Sequence, residues 1–245
     1  MGNRLMRLHI YLMRHGQKAI NRQGLVQGWA DSPLTEEGKA DIVQSAQYFA
    51  QHYALRFDAA FCSTLARTQA TAQLFLDTLQ QGDLPIQALD DLREYHFGSF
   101  EGQPSARIHQ TIAQELGYGN VEDWLAYYRS GKHSNNQLMH TLHRIDPRAE
   151  QESQFIQRLH RGIQHIIANS LARSAQGSLK TESSGEIPTP NVLIVSHGMA
   201  ITALLRSVNP QAIPYRSVPN ASATLLRYNL IGGLQIIGEA GKALP

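Results

Sequence analysis

The chain has 245 residues, of which 42% are hydrophobic and 17% are charged, and its formal net charge is +2. This length and hydrophobic content are sufficient for one domain with a substantial buried core. A net charge so near zero argues against a protein that binds nucleic acid or a membrane surface. The single cysteine, Cys62, excludes an intramolecular disulfide and a Cys-rich metal site, and its apolar neighbours favour a buried small side chain over a nucleophile.

The beginning of the chain carries no targeting pattern. Residues 1–13 lack the long apolar segment and the small-residue cleavage site of a secretion signal. No apolar run elsewhere is long enough to span a bilayer. We therefore expect a cytoplasmic protein without a membrane partner.

Strands and helices alternate in the first third of the chain. A short apolar run, Leu8 to Met13, predicts a buried strand. Thr35 is a suitable N-cap for the next helix, whose apolar residues recur at the spacing of one helical face. A second strand is predicted at Phe57 to Cys62, and the following helix is predicted to start near Ser63 or Thr64. This alternation is typical of a parallel sheet covered on both faces.

The middle of the chain has a different character. Pro104 begins a helical stretch, and a second short helix is predicted from Val121 to Arg129. Residues 130–143 are polar and show little periodicity. We interpret residues 103–150 as a mostly helical cap inserted into a single domain, residues 1–245.

The last third returns to the first pattern. A longer helix is predicted from Glu152, and residues 173–191 read as a Ser-, Gly- and Pro-rich surface loop. Asn191 to Val195 is the clearest strand pattern in the chain, and a helix follows from about Met199. The predicted fold class is therefore α/β, with three layers: a doubly wound, mostly parallel sheet, helices on both faces and a helical cap insertion.

Two of the predicted strands end in the same way, in a His-Gly turn that leads into a helix. The two turns are His15-Gly16 and His197-Gly198. The carboxyl ends of parallel strands are where α/β proteins bind ligands, and glycine lets the backbone approach an anion closely. A lone histidine at a strand end is nevertheless more often a structural hydrogen-bonding residue than a catalyst.

Two arginines strengthen the functional interpretation. Arg14 directly precedes His15, and Arg67 falls in the first turn of the helix after the second strand, near the same edge of the sheet. Either arginine alone would be interpreted as a solvated surface residue. Two arginines and two histidines together suit a tetrahedral dianion, because the planar guanidinium group matches the oxygens of phosphate.

Four motifs in order carry a family resemblance: Arg14-His15-Gly16, the Ser-x-x-x-Arg-Thr-x-x-Thr run from Ser63 to Thr71, Leu92-Arg93-Glu94-Tyr95-His96-Phe97-Gly98, and Ser196-His197-Gly198. The chain resembles the histidine phosphatase, or phosphoglycerate mutase-like, superfamily, and specifically its larger cytoplasmic branch. The resemblance extends from the first strand to Tyr228, apart from most of the insertion and the 173–191 loop. The smaller, secreted-type branch carries Asp where this chain has Gly198.

The resemblance implies a role for each of five residues in an enzyme that needs no metal or cofactor. His15 attacks phosphorus and becomes a transient phosphohistidine. Arg14, Arg67 and His197 hold the non-bridging oxygens. Glu94 protonates the leaving oxygen and then draws a proton from the attacking water.

Further substrate contacts are implied for Asn21, Gln27 and Gly28, although Asn21 is equally suited to cap a turn. In the insertion, Trp124 and Tyr127 either select the alcohol portion of the substrate or pack the cap onto the main domain. Both alternatives are open at the level of sequence.

Departures from the mutase pattern bear on the reaction. Phosphoglycerate mutases of this superfamily usually have Arg after the catalytic Glu, where this chain has Tyr95, and Asn after the second His-Gly, where it has Met199. They also bind the substrate carboxylate with adjacent arginines, and residues 103–150 contain no Arg-Arg pair. We therefore predict a phosphatase, a phosphoric monoester hydrolase acting on a small phosphorylated substrate. The alternatives are a phosphoglycerate mutase-type phosphomutase and a non-catalytic phospho-ligand binding module, and the oligomeric state is not predicted.

Overall fold

The computed structural model describes residues 7–17, 24–53, 55–130, 135–175, 189–212 and 218–242. Within these ranges the chain forms one mixed sheet of six strands and seven α-helices. The strands are β1 (Arg7–Arg14), β2 (Ala59–Ser63), β3 (Ile86–Leu89), β4 (Asn191–Ser196), β5 (Ala223–Asn229) and β6 (Gly233–Ile237). The helices are α1 (Glu36–His52), α2 (Ala66–Thr78), α3 (Ser105–Glu115), α4 (Val121–Arg129), α5 (Asn135–Ile145), α6 (Glu152–Ala175) and α7 (Gly198–Val208).

The order of strands across the sheet is β3-β2-β4-β1-β5-β6. The neighbours from β3 to β1 are parallel, whereas β5 runs antiparallel to both β1 and β6. The predicted mostly parallel α/β sheet is thus confirmed. β1 and β4 lie side by side with Arg14 opposite Ser196, so the two His-Gly turns leave the sheet from adjacent positions.

Helices cover both faces of the sheet, as predicted. Because side chains alternate along a strand, β1 sends Leu8, Ile10 and Leu12 to one face and Tyr11 and Met13 to the other. The first set joins a core with α3 to α7, and the second joins a core with α1 and α2. Residues at either end of the sheet can therefore be contacted by helices from both faces.

The helix ends show local sequence preferences at work. Thr35 caps α1 as predicted, since its hydroxyl accepts a hydrogen bond of 2.9 Å from the N–H of Gly38. Helix α2 begins at Ala66, two to three residues later than predicted, because Ser63 is still paired with Leu89 in the sheet. Arg67 remains in the first turn of α2.

The region between residues 103 and 150 is mostly helical, as predicted, but it contains a helix that the sequence did not reveal. Helix α5 lies within residues 130–145, where the sequence shows little periodicity, and it buries Leu138, Met139 and Leu142. Trp124 of α4 is fully buried in the same core, which favours its packing role over substrate selection. The interpretation of this region as a separable cap stays a prediction.

The loop predicted at residues 173–191 begins later than expected, and the strand after it begins at the predicted residue. Helix α6 extends to Ala175, and β4 begins at Asn191. Residues 176–188 lie outside the described part of the chain. Across the described ranges, every helix is too short or too polar to cross a membrane.

Candidate active site

The two histidines predicted to act together meet at the carboxyl ends of β1 and β4. Their ring centroids are 5.3 Å apart, and the rings are tilted by 59°. His15 is 3% exposed and His197 is fully buried. The parallel pairing of β1 with β4 creates this proximity from residues that are far apart in the sequence.

The neighbours of His15 define which ring nitrogen carries the proton. Nδ1 lies 2.7 Å from the carbonyl oxygen of Gly16. A carbonyl only accepts hydrogen bonds, so Nδ1 is the protonated nitrogen and Nε2 of the neutral ring is the basic one. This is the tautomer that nucleophilic attack by Nε2 requires.

Gly16 allows the turn after β1 to pack closely against α1. A Cβ at this position would lie 2.7 Å from Cδ1 of Ile42 and 2.9 Å from the carbonyl oxygen of Gly38. Its N–H donates to the hydroxyl of Thr71 over 3.1 Å. The N–H of Gly16 is thus bound by a protein group, and the glycine lets the turn after β1 approach α1.

Arg14 is half-buried beside His15. Its Nη1 donates to the carbonyl of Val218 at 2.7 Å, while its buried Nε has no hydrogen-bond partner among the described residues. Burial lowers the pKa of Arg14, and the nearby carboxylate of Glu94 opposes that effect. A buried N–H without an acceptor is costly, and a phosphoryl oxygen is a suitable acceptor for it.

Arg67 is only 1% exposed and is held firmly by protein groups. Nη2 donates to the carbonyl of Gly28 at 2.6 Å, Nη1 donates to the carbonyl of Ala30 at 3.0 Å, and the Asp31 carboxylate lies 3.5 Å from Nη1. Burial lowers the pKa of Arg67, and Glu94 and Asp31 oppose the shift. Its guanidinium group therefore has a fixed position, and its contact with a phosphoryl group stays a prediction.

His197 is the N-cap residue of α7, and both of its ring nitrogens face protein groups. Nδ1 accepts a hydrogen bond of 3.1 Å from Nε of Arg67, and Nε2 lies 2.7 Å from the hydroxyl of Ser63. The ring is thus oriented by Ser63, the last residue of β2, and by Arg67, in the first turn of α2. For the predicted contact of His197 with a phosphoryl oxygen, Nε2–H must either divide its hydrogen bond between that oxygen and the Ser63 hydroxyl or give up the contact with Ser63.

The carboxylate of Glu94 sits at the start of α7, next to His197. Oε1 accepts from the backbone N–H groups of Tyr95 at 2.9 Å and Ala200 at 3.1 Å, and Oε2 accepts from that of Met199 at 3.0 Å. The first N–H groups of a helix lack partners within the helix and favour a negative charge. Glu94 is 7% exposed, so this end of α7 holds the carboxylate in a buried position, close enough to Arg14 and Arg67 to affect the pKa of each.

The loop that contains Gln27 and Gly28 is organised by a residue to which the sequence assigned no role. The Glu101 carboxylate accepts hydrogen bonds from four backbone N–H groups, those of Gly28, Trp29, Ala30 and Phe97, at 2.9–3.1 Å. The N–H of Gly28 therefore faces Glu101, while the Gln27 amide donates to the hydroxyl of Ser32 at 3.3 Å. Asn21 lies outside the described residues.

Three further residues of the site were not assigned a role from sequence. Ser63 and Thr71 stand inside the motif around Arg67, but only the fold shows that they contact His197 and Gly16. Glu101 lies in an acidic stretch with Asp90 and Asp91, and nothing local distinguishes it from them. Within the described ranges, no group of three or more His, Cys, Asp or Glu side chains is arranged to hold a metal ion.

Comparison with known proteins places the chain in a family. The family model of the histidine phosphatase superfamily (branch 1) matches residues 10–233. The chain is 27% identical, over 96% of each chain, to the 2,3-bisphosphoglycerate-dependent phosphoglycerate mutase of Hamiltonella defensa subsp. Acyrthosiphon pisum (strain 5AT).

Solved structures share the fold. Phosphoglycerate mutase from Bacillus anthracis str. Sterne superposes with a TM-score of 0.79 at 27% identity, covering 96% of this chain and 93% of that chain. The alpha-ribazole phosphatase from Shigella flexneri has a TM-score of 0.63 at 23% identity, covering 97% and 98%. The match over residues 10–233 shows that the chain belongs to the histidine phosphatase superfamily.

Proposed function

We propose that the protein is a phosphatase that hydrolyses small phosphate monoesters through a phosphohistidine on His15, without a metal ion or cofactor. The observation that carries the proposal is the hydrogen bond from Nδ1 of His15 to the Gly16 carbonyl, which leaves Nε2 as the basic nitrogen of a ring whose centroid lies 5.3 Å from that of His197. We also propose a cytoplasmic location, in keeping with the branch that the sequence resembles.

In the first step Nε2 of His15 attacks phosphorus and the bond between phosphorus and the ester oxygen breaks. Arg14, Arg67 and His197 offset the charge on the transferring group. The leaving oxygen takes a proton from Glu94. Oε2 accepts only one of the three backbone hydrogen bonds to this carboxylate, so it is the oxygen better placed to carry that proton.

In the second step a water oxygen attacks phosphorus, the bond between phosphorus and Nε2 breaks, and the electron pair returns to His15. The Glu94 carboxylate takes a proton from the attacking water, so phosphate leaves and Glu94 is again protonated. General acid–base catalysis of this kind contributes roughly 10²–10⁴-fold to the rate. Glu94 therefore has to keep one position through both steps.

Hydrolysis is favoured over mutase chemistry by the environment of Tyr95. This residue follows Glu94, at the position where mutases of the superfamily usually have Arg. Its ring is fully buried and packs against Phe97 and Phe155, with centroids 4.9 Å and 5.6 Å away. Burial also raises the pKa of Tyr95 far above its usual value. The residue at this position is thus part of the hydrophobic core and does not offer a positive charge to a substrate carboxylate.

A phosphomutase is the second candidate, favoured by the 27% identity to a phosphoglycerate mutase over 96% of each chain. Incubation with a phosphorylated glycerate distinguishes the two reactions. A phosphatase releases inorganic phosphate, whereas a mutase accumulates the isomer. A binding module does neither.

The proposal is tested with a panel of small phosphate esters in the presence of a chelator. We expect activity to survive the chelator and to disappear in His15→Ala. His160→Ala is the matched control. His160 is exposed on α6, and among the described residues its ring forms a hydrogen bond of 3.0 Å with the hydroxyl of Ser207. Full activity in His15→Ala would overturn the mechanism.

A further inference from the structure

Arg158, on α6, is a buried arginine to which the proposed mechanism assigns no role. It is 8% exposed. Its Nε and Nη2 donate to the two carboxylate oxygens of Glu150 at 2.6 Å and 2.8 Å. Its Nη1 donates to the carbonyls of Asp91 at 3.1 Å and Arg93 at 2.7 Å, and its Nη2 also donates to the carbonyl of Glu94 at 2.7 Å. Each of the five guanidinium N–H groups thus has an acceptor.

The three carbonyls that Arg158 binds belong to the segment that carries Glu94. Glu150 extends the contact beyond Glu94, because its Oε2 also accepts from the backbone N–H of His96 at 3.3 Å. The buried pair of Arg158 and Glu150 therefore holds the backbone on both sides of Glu94. The Glu94 side chain is held separately, by the N–H groups of Met199 and Ala200 at the start of α7.

We propose that Arg158, paired with Glu150, is a positioning residue for the general acid–base Glu94. This inference rests on the proposed function. A misplacement of about 1 Å in a catalytic group can lower the rate about 10²-fold, and Glu94 must act twice from one position. Only a planar group with several donors can hold three carbonyls and a carboxylate at once.

Stability alone is a weak reason for such a pair. Apolar side chains of similar volume usually stabilise a core as well as a buried ion pair does. Arg158 also lies over the ring of Phe155, with its Cζ 4.9 Å from the ring centroid, so an apolar side chain would find suitable neighbours there. An apolar side chain cannot, however, donate hydrogen bonds to the backbone carbonyls of Asp91–Glu94.

Two substrates with different leaving groups distinguish a positioning role of Arg158 from a merely structural role. An alkyl phosphate needs a proton donor for its leaving oxygen, whereas p-nitrophenyl phosphate has a stabilised leaving group and needs the donor far less. We expect Arg158→Lys to lower kcat/KM for an alkyl phosphate about 10–100-fold, and for p-nitrophenyl phosphate only about threefold. Glu150→Gln should give the same bias, and it provides a second variant if Arg158→Lys does not fold, as judged by circular dichroism.

Two controls complete the experiment. Arg161→Gln removes an arginine of the same helix whose side chain is 62% exposed and pairs, among the described residues, with the side chain of Asp91 at 3.2 Å. This change should leave both activities unchanged. Adding Arg158→Lys to Glu94→Gln should cost little more than Glu94→Gln alone, because both changes remove the same function. Residues that act as one unit are non-additive in this way.

The results that overturn the inference differ from those that overturn the proposed function. If the wild-type protein hydrolyses neither ester and His15 is not phosphorylated, the proposed function fails and the inference fails with it. If the wild type is active but Arg158→Lys lowers both activities equally, Arg158 has only a structural role. If the effects of Arg158→Lys and Glu94→Gln on kcat/KM were fully additive, the same conclusion would follow.

Discussion

Nε of Arg67 donates a hydrogen bond of 3.1 Å to Nδ1 of His197, and this contact determines the tautomer of the second histidine. Because Nδ1 accepts, the proton of the neutral ring is on Nε2, where it donates to the hydroxyl of Ser63 at 2.7 Å. The Ser63 hydroxyl lies in turn 2.9 Å from that of Thr68. A buried chain of hydrogen bonds thus joins the end of β2, the first turn of α2 and the N-cap of α7.

Ser63→Ala tests whether this chain orients His197. The change removes the acceptor at Nε2, and a hydrogen bond of this kind contributes about 0.5–1.5 kcal/mol. We therefore expect kcat/KM to fall about threefold to tenfold. Ser207→Ala is the matched control, because it removes a similar Ser–His contact, with His160, on the surface away from the site. Equal activity in the two variants would show that His197 does not depend on Ser63.

Glu101→Gln tests whether the carboxylate holds Arg67 through the loop. Glu101 binds the N–H groups of Gly28 and Ala30, and the carbonyls of the same two residues accept from Arg67. Losing charge-assisted hydrogen bonds costs about 1.5–3 kcal/mol, so we expect lower stability and a KM raised about tenfold. Glu122→Gln, at an exposed position of α4, should change neither the melting temperature nor KM. An unchanged KM in Glu101→Gln would contradict the link to Arg67.

The sequence predicts the elements whose hydrophobic pattern is strong and local. β1, β4, α1 and α6 each carry a continuous apolar run or one clear apolar helix face. β3 is a short edge strand with a largely exposed surface. β5 and β6 form a hairpin that joins the sheet through the pairing of β5 with β1. Strands of this kind depend on non-local pairing, which a local pattern does not contain.

The same reason limits what the sequence says about the site. Arg14, His15, Arg67, Glu94 and His197 are recognisable by motif, and the structure brings them to one edge of the sheet. Their catalytic roles stay predictions. Glu101 binds the loop at residues 28–30, and Arg158 binds the Asp91–Glu94 backbone, from more than 60 positions away along the chain, so no spacing rule could have paired them with these segments.

Gly28→Ala is expected to disturb the site through a direct clash. A Cβ at this position would overlap the carbonyl oxygen of Tyr95 and the Glu101 carboxylate. Overpacking of this kind costs about 1–3 kcal/mol or more, which corresponds to a fall in Tm of roughly 2–4 °C per kcal/mol for a chain of this size. Gly119→Ala is the control, because a Cβ there meets nothing within 4 Å. Equal melting temperatures in the two variants would show that the loop adapts.

Cys62 is expected to be inert, which separates the proposed mechanism from that of a cysteine phosphatase. The thiol is fully buried in β2, and burial raises its pKa to about 11. At pH 8 the folded protein therefore holds a protonated thiol, which is a poor nucleophile. We expect iodoacetamide to leave activity unchanged and Cys62 unlabelled by mass spectrometry, with full labelling after denaturation. Loss of activity together with labelling of Cys62 would contradict this.

Asp146 is expected to make stability sensitive to acid. The side chain of Arg148 and the backbone N–H of Ser99 donate to its carboxylate and hold its pKa well below the usual range. Since the folded-state pKa lies below the unfolded value of about 3.9, the stabilisation is complete above that pH and is lost as the pH falls below it.

Asp146→Asn should therefore lower Tm at pH 7 and have a shrinking effect as the pH falls below about 4. Arg148 is 72% exposed, so its ion pair contributes little, and most of the loss comes from the Ser99 contact, about 1 kcal/mol. Asp41→Asn, at an exposed position of α1, is the control and should be neutral across this range. Thermal melts of the three proteins from pH 7 to pH 2 provide the measurement. A difference between Asp146→Asn and wild type that stays constant with pH would show that Asp146 does not couple folding to protonation.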